Sequence, residues 1–475
     1  MPKPRLRRLV PTKGDTLRML SLLAIQATML SWIDWRTAPT WDEWGHLPSG
    51  IYHVLYGDFQ LYRVNPPLVR MLAALPVLAA DGGIDHIPLP DADTTGWRSE
   101  FMLGRYFLST HGERCFELFS LARMALIPVS LLGTYLLWSI ARRLYGPTSG
   151  WVAAVLWSFS PTALAFGGTI VPDVSTAVFG LLATYLFYIW LVRRDWPSAL
   201  WLSVATAIAL LCKSTWIILP PVFAVLWIVD RWKRRRRPLG ADLQQACVGA
   251  IMAWLIIHAA YDFRGALKPL GSFTFQSQAL TGRSSPTDPT RNRFTNSWLG
   301  AIPAPLPADY MQGIDRQRSD FDSKFKSYYF GTWSDHGWWS YYVVGLFLKE
   351  PVAIWGLAAL LATSALRGQQ RRWRWRETVL LVPGVAVLAL VSSQTGFNHH
   401  LRYVLPFFPG LYLIMSRSVA SGGKWNRRLA FACCLAYAFS SAAILPRSYA
   451  FFTEAVGGAN QGWRYLGDSN LDWGQ

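Results

Sequence analysis

Apolar runs of roughly membrane length recur along this chain, separated by short polar breaks. They fall near 17–33, 118–140, 151–170, 174–192, 198–212, 215–230, 244–261, 351–367, 378–394, 401–416 and 428–446. Each reads as a helix crossing a bilayer, so the pattern predicts an all-α polytopic membrane protein with about eleven spans. Two longer interruptions, 34–116 and 262–340, predict large loops. Within the first, apolar positions return at helical spacing near 47–57 and 66–80, which predicts amphipathic helices lying in the membrane interface. The second holds a Pro-rich IPAPLP stretch and then the aromatic HGWWSYYVVGLFLKE, whose Trp and Tyr residues favour headgroup depth. Gly, Ser, Thr and Pro crowd 280–290, which reads as a mobile loop. No internal repeat is visible, which weighs against an inverted-repeat transporter.

The basic residues orient these spans. RLRR near the N-terminus, Arg142–Arg143, Arg193–Arg194, KRRRR at 233–237, RRWRWR at 371–376 and KWNRR at 424–428 all fall on one side. By the positive-inside rule that side, with the N-terminus, is cytoplasmic. The loops 34–116 and 262–340 and the tail from 447 then lie on the outer face, and 34–116 carries more acids than bases. The basic start and first apolar run imitate a signal peptide. No small-residue cleavage site follows, so 17–33 reads as an uncleaved span. The expected division is a transmembrane module over 1–446 and, over 447–475, the start of an outer-face segment cut short at Gln475.

Composition agrees with this class. Of 475 residues, 52% are hydrophobic, 15% aromatic and only 16% charged, against about 25% charged in a soluble domain. The net charge of +18 would suit nucleic acid. Its distribution instead makes it a topology signal and an attraction for anionic membrane lipids. Cys115, Cys212, Cys247, Cys433 and Cys434 are odd in number and sit mostly in apolar runs. They predict small buried side chains, with no disulfide framework or zinc spacing.

Given that topology, the unusual polar residues converge on the outer face. Asp42 and Glu43 follow the first span. Asp173 sits in a short turn between the third and fourth spans, Lys213 between the fifth and sixth, and Lys349 before the eighth. His399, His400 and Arg402 open the tenth. The acids Asp42, Glu43 and Asp173 are candidates to deprotonate or orient an acceptor hydroxyl or amine. The cations Lys213, Lys349 and Arg402, with the His pair, are candidates to hold an anionic leaving group. An anion that resides at a membrane face and departs during reaction points to a polyprenyl phosphate. Each residue also has a structural role open to it. Asp173 can cap a helix, the lysines can snorkel to headgroups, and Arg402 can anchor a span end. Tyr62, Arg63 and Asn65, in LYRVNPP, either shape a substrate cavity or turn the chain at Pro66–Pro67. Adjacent histidines on a helix point different ways, and no third ligand is evident, so no metal or other cofactor is expected.

The segments PTWDEWGHLPSG, GDFQLYRVNPPLVRMLAALP, VPDVSTA, LLCKSTWIILPP, FLKEP and HHLRYVLPFFP together resemble the GT-C glycosyltransferases. The likeness is to the bacterial relatives of protein O-mannosyltransferases and of the lipid A aminoarabinose transferase. The tail EAVGGANQGWRYLGDSNLDWGQ resembles a post-membrane segment of one branch. The resemblance implies inverting transfer of a hexosyl or pentosyl unit from a polyprenyl-phosphate donor to a protein, lipid or glycan acceptor. It implies a cell inner (plasma) membrane setting with a periplasmic site. Asp42 takes the family's catalytic-base position, Asp173 its second acid, and Lys213 and Arg402 its donor-phosphate contacts. Where many relatives have an Arg-Tyr pair after the acids, this chain has Trp44, Gly45 and His46, which makes His46 the candidate substitute. A transporter or flippase of lipid-linked sugars, an assembly subunit with a decayed site, and a glycan ligase or polymerase remain open alternatives.

Overall fold

A computed structural model of the chain describes residues 12–85, 98–234, 239–282, 292–322, 325–369, 373–420, 423–467 and 470–471. Most of the loop expected to be mobile at 280–290 lies outside them, as do the N-terminal RLRR, most of KRRRR and the start of RRWRWR. The first span is α1 (Lys13–Arg36). It opens on a capping box in which the Thr12 hydroxyl accepts from the Asp15 N–H at 3.1 Å and the Asp15 carboxylate accepts from the Thr12 N–H at 3.2 Å. Leu17, Leu20, Trp32 and Trp35 on this helix are exposed, as suits a surface solvated by lipid rather than water.

Next come α2 (Trp41–Tyr56), α3 (Leu68–Ala79) and α4 (Ser99–His111), then α5 (Arg114–Met124) and α6 (Ile127–Tyr145). The bundle continues through α7 (Pro147–Ser158), α8 (Pro161–Phe166), α9 (Asp173–Arg193), α10 (Trp196–Cys212), α11 (Leu219–Arg234) and α12 (Leu239–Ala259). The second loop carries α13 (Ala308–Asp322), and after it come α14 (Tyr341–Leu348), α15 (Val352–Leu366), α16 (Trp375–Ser393), α17 (Phe408–Met415) and α18 (Lys424–Ala442). The two stretches expected to be amphipathic are thus α2 and α3.

Among the described residues, length and composition allow six helices to cross a bilayer. Seven qualify if α14 and α15, bent by 101° at Lys349–Pro351, count as one. The other expected spans are shorter or broken, except α18, which is 19 residues long but begins with the basic KWNRR. The run at 151–170 divides at Pro161, which lacks an N–H, and the Ser160 hydroxyl caps the new helix by accepting from the Ala163 N–H at 3.1 Å. The run at 401–416 begins as 3-10 turns over Leu401–Phe407 before α17. The helix α10 has 17 residues.

The core gathers around α6 against α7 and α9 against α10, with α9 and α16 closing on the Leu401–Phe407 turns. Leu137, Trp157, Val178, Trp216 and Tyr412 are fully buried there. Cys115, Cys212 and Cys434 are buried as expected, but Cys247 is exposed on α12, beside the exposed Val248 and Ile251 of the same helix.

A second layer covers one end of the bundle, with α2 lying between α3 and α4. Two glycines permit this spacing. A Cβ at Gly50 would meet the Arg70 carbonyl oxygen of α3 at 2.2 Å, and one at Gly104 of α4 would meet that of Trp44 at 2.4 Å. Over the same end lie α13 and a two-stranded antiparallel hairpin, β1 (Ser327–Tyr329) and β2 (Thr332–Ser334), with Tyr328 opposite Trp333.

Candidate active site

Asp42 and Glu43 share the first turn of α2. Successive residues on a helix point about 100° apart, and here the two carboxylates enter different surroundings. Glu43 is completely buried. The Arg123 guanidinium of α5 grips it with two parallel bonds of 2.8 and 2.6 Å, and the Ile170 N–H donates to it at 2.9 Å. It also accepts from the N–H and the hydroxyl of Thr40, both at 2.8 Å. Arg123 in turn donates to the carbonyls of Asp34, Thr37 and Ala38. Burial pushes the Glu43 carboxyl up, but the Arg123 charge and these hydrogen bonds outweigh it and hold it below the usual glutamate range. Glu43 therefore ties the end of α1, the start of α2, α5 and the 167–172 segment together. It does not line the cavity that Asp42 enters, so the two members of the acid pair stand in different places.

Asp42 faces that cavity, a space of about 590 Å³. The Arg402 guanidinium donates to Asp42 at 2.6 Å and reaches Asp173 at 3.4 Å. Lys213 donates to the other Asp173 oxygen at 2.6 Å, and its ammonium lies 4.7 Å from the centre of the Tyr403 ring. Asp42, Arg402, Asp173 and Lys213 thus form one alternating chain of charge. Its inner members are almost wholly buried, while the Asp42 side chain is 25% exposed. Asp173 is the first residue of α9 and so also suits the positive end of that helix. The capping and site readings of this residue are compatible.

The remaining wall comes from separate elements. Tyr62, Val64 and Asn65 reach in from the loop between α2 and α3. The buried Arg70 guanidinium fixes that loop by donating to the carbonyls of Tyr62, Asn65 and Pro66. Tyr62 takes a left-handed backbone with φ 49°, which a residue with a Cβ adopts only when its surroundings impose it. His399 and His400 both line the cavity. They can do so because His400 is in extended backbone just before the Leu401–Phe407 turns, not on a helix face. The His399 ring stacks on Phe397 with centroids 4.5 Å apart.

Three predicted substrate contacts lie elsewhere. His46 packs behind the wall with its ring 4.2 Å from that of Tyr62. Burial and the nearby charges of Arg70, Arg402, Arg98 and Lys213 push its imidazole well below the usual histidine range. Arg63 pairs with Asp309 of α13 at 2.8 Å. Lys349, at the α14–α15 bend, donates to the Tyr449 and Asn470 carbonyls and lines a separate small pocket with Ser448 and Leu401.

The sequence reading missed Arg98, Gln317, Asp320 and Tyr403, all of which line the cavity. Gln317 and Asp320 are three apart on α13, a spacing that places both on one helix face. That spacing was the available signal. Arg98 reaches Asp320 at 3.5 Å, and burial pushes the Asp320 carboxyl up against the pull of Arg98 and Arg316. Beyond Lys213, Gln317 and Tyr403 opens a second space of about 180 Å³, with Ile217, Ile314, Leu390 and Val391 on its walls. Among the described residues no three His, Cys, Asp or Glu side chains gather as a metal site.

Residues 117–260 match the family model described as dolichyl-phosphate-mannose-protein mannosyltransferase. The fold is similar to that of ArnT from Cupriavidus metallidurans, solved bound to undecaprenyl phosphate. The TM-score is 0.51 at 15% identity, over 87% of this chain and 61% of that one. It is also similar to the archaeal oligosaccharyltransferase AglB from Archaeoglobus fulgidus, solved in complex with an inhibitory peptide and a dolichol-phosphate. Here the TM-score is 0.51 at 13% identity, over 96% of this chain and 57% of that one. The chain therefore spans about three fifths of the length of either protein. No curated protein matches it by sequence. The fold is the GT-C fold that the sequence led us to expect.

Proposed function

We propose that this chain is an integral membrane glycosyltransferase that moves a sugar from a polyprenyl-phosphate donor to a nucleophilic acceptor. The observation that carries this reading is the charge chain Asp42, Arg402, Asp173 and Lys213 at one end of the bundle, inside a cavity of about 590 Å³. The adjoining apolar-walled space suits the first isoprene units of a lipid whose phosphate is held at Lys213. ArnT and AglB, solved with a polyprenyl or dolichol phosphate, add support through their shared architecture.

The chemistry follows from the charges. The donor phosphate competes with the two carboxylates for Arg402 and Lys213, and its arrival loosens the grip of Arg402 on Asp42. Asp42 then accepts the proton of an acceptor hydroxyl or amine. That atom attacks the anomeric carbon from the face opposite the phosphate as the bond from carbon to phosphate oxygen breaks. Configuration inverts, and the polyprenyl phosphate departs with the electron pair. Arg402 and Lys213 stabilise the charge that develops on it. Asp173 keeps the two cations side by side and apart from solvent.

The orientation belongs to the same proposal. Arg142 and Arg143 end α6, and Arg193 ends α9 at the opposite end from Asp173. With the positive-inside rule this supports a cytoplasmic N-terminus and a site on the outer face of a cell inner membrane.

The direct experiment follows sugar release from labelled polyprenyl-phosphate sugars by purified protein in nanodiscs, with mixed acceptors. Wild type transfers the label, and Asp42→Asn does not while remaining folded. Movement of intact lipid-linked sugar across vesicles without cleavage would favour a flippase. Normal transfer by Asp42→Asn would remove Asp42 from the chemistry.

A further inference from the structure

The chain after residue 446 packs onto Lys349 and the bend that carries it. The 101° bend between α14 and α15 leaves backbone groups without helical partners. They are met by Thr453 and Glu454. The Thr453 N–H donates to the Leu348 carbonyl at 2.7 Å, and the Val352 N–H donates to the Glu454 carboxylate at 2.9 Å. The Lys349 ammonium donates to the Tyr449 carbonyl at 2.8 Å and to that of Asn470, and lies 4.0 Å from the centre of the Phe452 ring. Farther on, Tyr329 and Leu466 form an antiparallel bridge, and the Phe330 N–H donates to the Tyr465 carbonyl at 2.9 Å. The path reaches Asn470, 2% exposed. Its amide nitrogen donates to the His399 carbonyl and to the Tyr341 hydroxyl, each at 2.8 Å, and its amide oxygen accepts from the Leu401 N–H at 3.3 Å. One side chain therefore holds the backbone on both sides of His400. His399, His400 and Arg402 of this same segment line the cavity.

We propose that Asn470 is a positioning residue for Arg402. By fixing the backbone of 399–401 it sets where the guanidinium meets Asp42 and Asp173, without itself lining the cavity, and Lys349 anchors Asn470 in turn. The proposal rests on the transferase reading above. Truncating Asn470 would leave the His399 carbonyl and Leu401 N–H without this buried partner, which favours movement of the segment. A displacement of about 1 Å near the reacting groups can cost about 100-fold in rate.

The test uses the full chain in nanodiscs as wild type, Asn470→Ala, Asn470→Asp and Lys349→Met. It reads amide hydrogen exchange across 397–403, affinity for undecaprenyl phosphate, and kcat and KM with a labelled undecaprenyl-phosphate sugar. Asn470→Ala is expected to speed exchange at 399–403 selectively, to weaken undecaprenyl phosphate binding in the same direction as Arg402→Lys but by less, and to lower kcat by about 10- to 100-fold. Asn470→Asp keeps an acceptor for Leu401 but loses the donors, so its loss is intermediate. Lys349→Met gives a smaller loss in the same parameter. Wild-type kcat in a folded Asn470→Ala overturns the proposal, as does exchange that rises evenly along the chain. If Asn470→Ala does not fold, wild-type kcat in both other variants overturns it equally. If even wild type transfers nothing while exchange still rises only at 399–403, the positioning role stands and the transferase reading falls.

Discussion

Arg402 donates to the Asp42 carboxylate at 2.6 Å across 360 residues of sequence, while its other nitrogen reaches Asp173. Only a planar fork spans two acids in this way. Arg402→Lys keeps the charge but not the fork. We expect it to weaken binding of undecaprenyl phosphate by about 10-fold or more, near the ~1.5–3 kcal/mol of a charge-assisted hydrogen bond. Titration of the lipid phosphate into nanodisc-held protein reads this, and unchanged affinity would remove Arg402 from donor binding.

For Asp42, a positioned general base contributes about 100- to 10,000-fold. Asp42→Asn should lower kcat by that order. The amide can still accept a hydrogen bond from Arg402, so the melting temperature should stay close to that of wild type. Single-turnover kinetics with labelled donor give the first quantity and a detergent melt the second.

Glu43→Gln and Arg123→Met should behave in the opposite way. Each leaves one buried charge of the pair without its partner, a loss of about 3–5 kcal/mol in stability. The signature is a large drop in melting temperature, with the surviving folded fraction binding undecaprenyl phosphate as wild type does. A stable Glu43→Gln protein with abolished turnover would instead return Glu43 to the chemistry.

Acid should destabilise the fold through two buried histidines. His46 and His400 are held well below the usual histidine range, first by burial and then by neighbouring cations that include Arg402. Unfolded, each takes a proton near pH 6.5. Their contribution is thus complete above that value and declines as pH falls below it, because the unfolded chain binds protons that the folded chain refuses. Melting temperature followed from pH 7 to 5 should fall, and His46→Gln should flatten that slope. An identical slope in the variant would show that other groups set it.

Much of this was legible because membrane spans and their basic flanks are local signals. The expected spans at 17–33, 174–192 and 244–261 correspond closely to α1, α9 and α12. Asp42, Asp173, Lys213 and Arg402 were selected as polar residues at the same end of apolar runs, and the fold brings them together. The acid pair could not be divided from sequence, because Glu43 is defined by Arg123, 80 residues away. Lys349 looked like its fellow cations, since Pro351 marks a helix break but nothing local shows that Tyr449, Phe452 and Asn470 meet the lysine there. Gln317 and Asp320 lay in a loop read only for its composition, where a short polar helix gives a weak periodic signal.

The separate surroundings of Asp42 and Glu43 carry an evolutionary consequence. A change at 43 can persist in a lineage only alongside a compensating change at 123, so those two positions should drift as a linked couple. Position 42 meets Arg402, which also serves Asp173, so no single partner can compensate for its loss. Two letters that stand side by side in the chain should therefore accept substitution under unlike rules: the second as half of a replaceable couple, the first hardly at all.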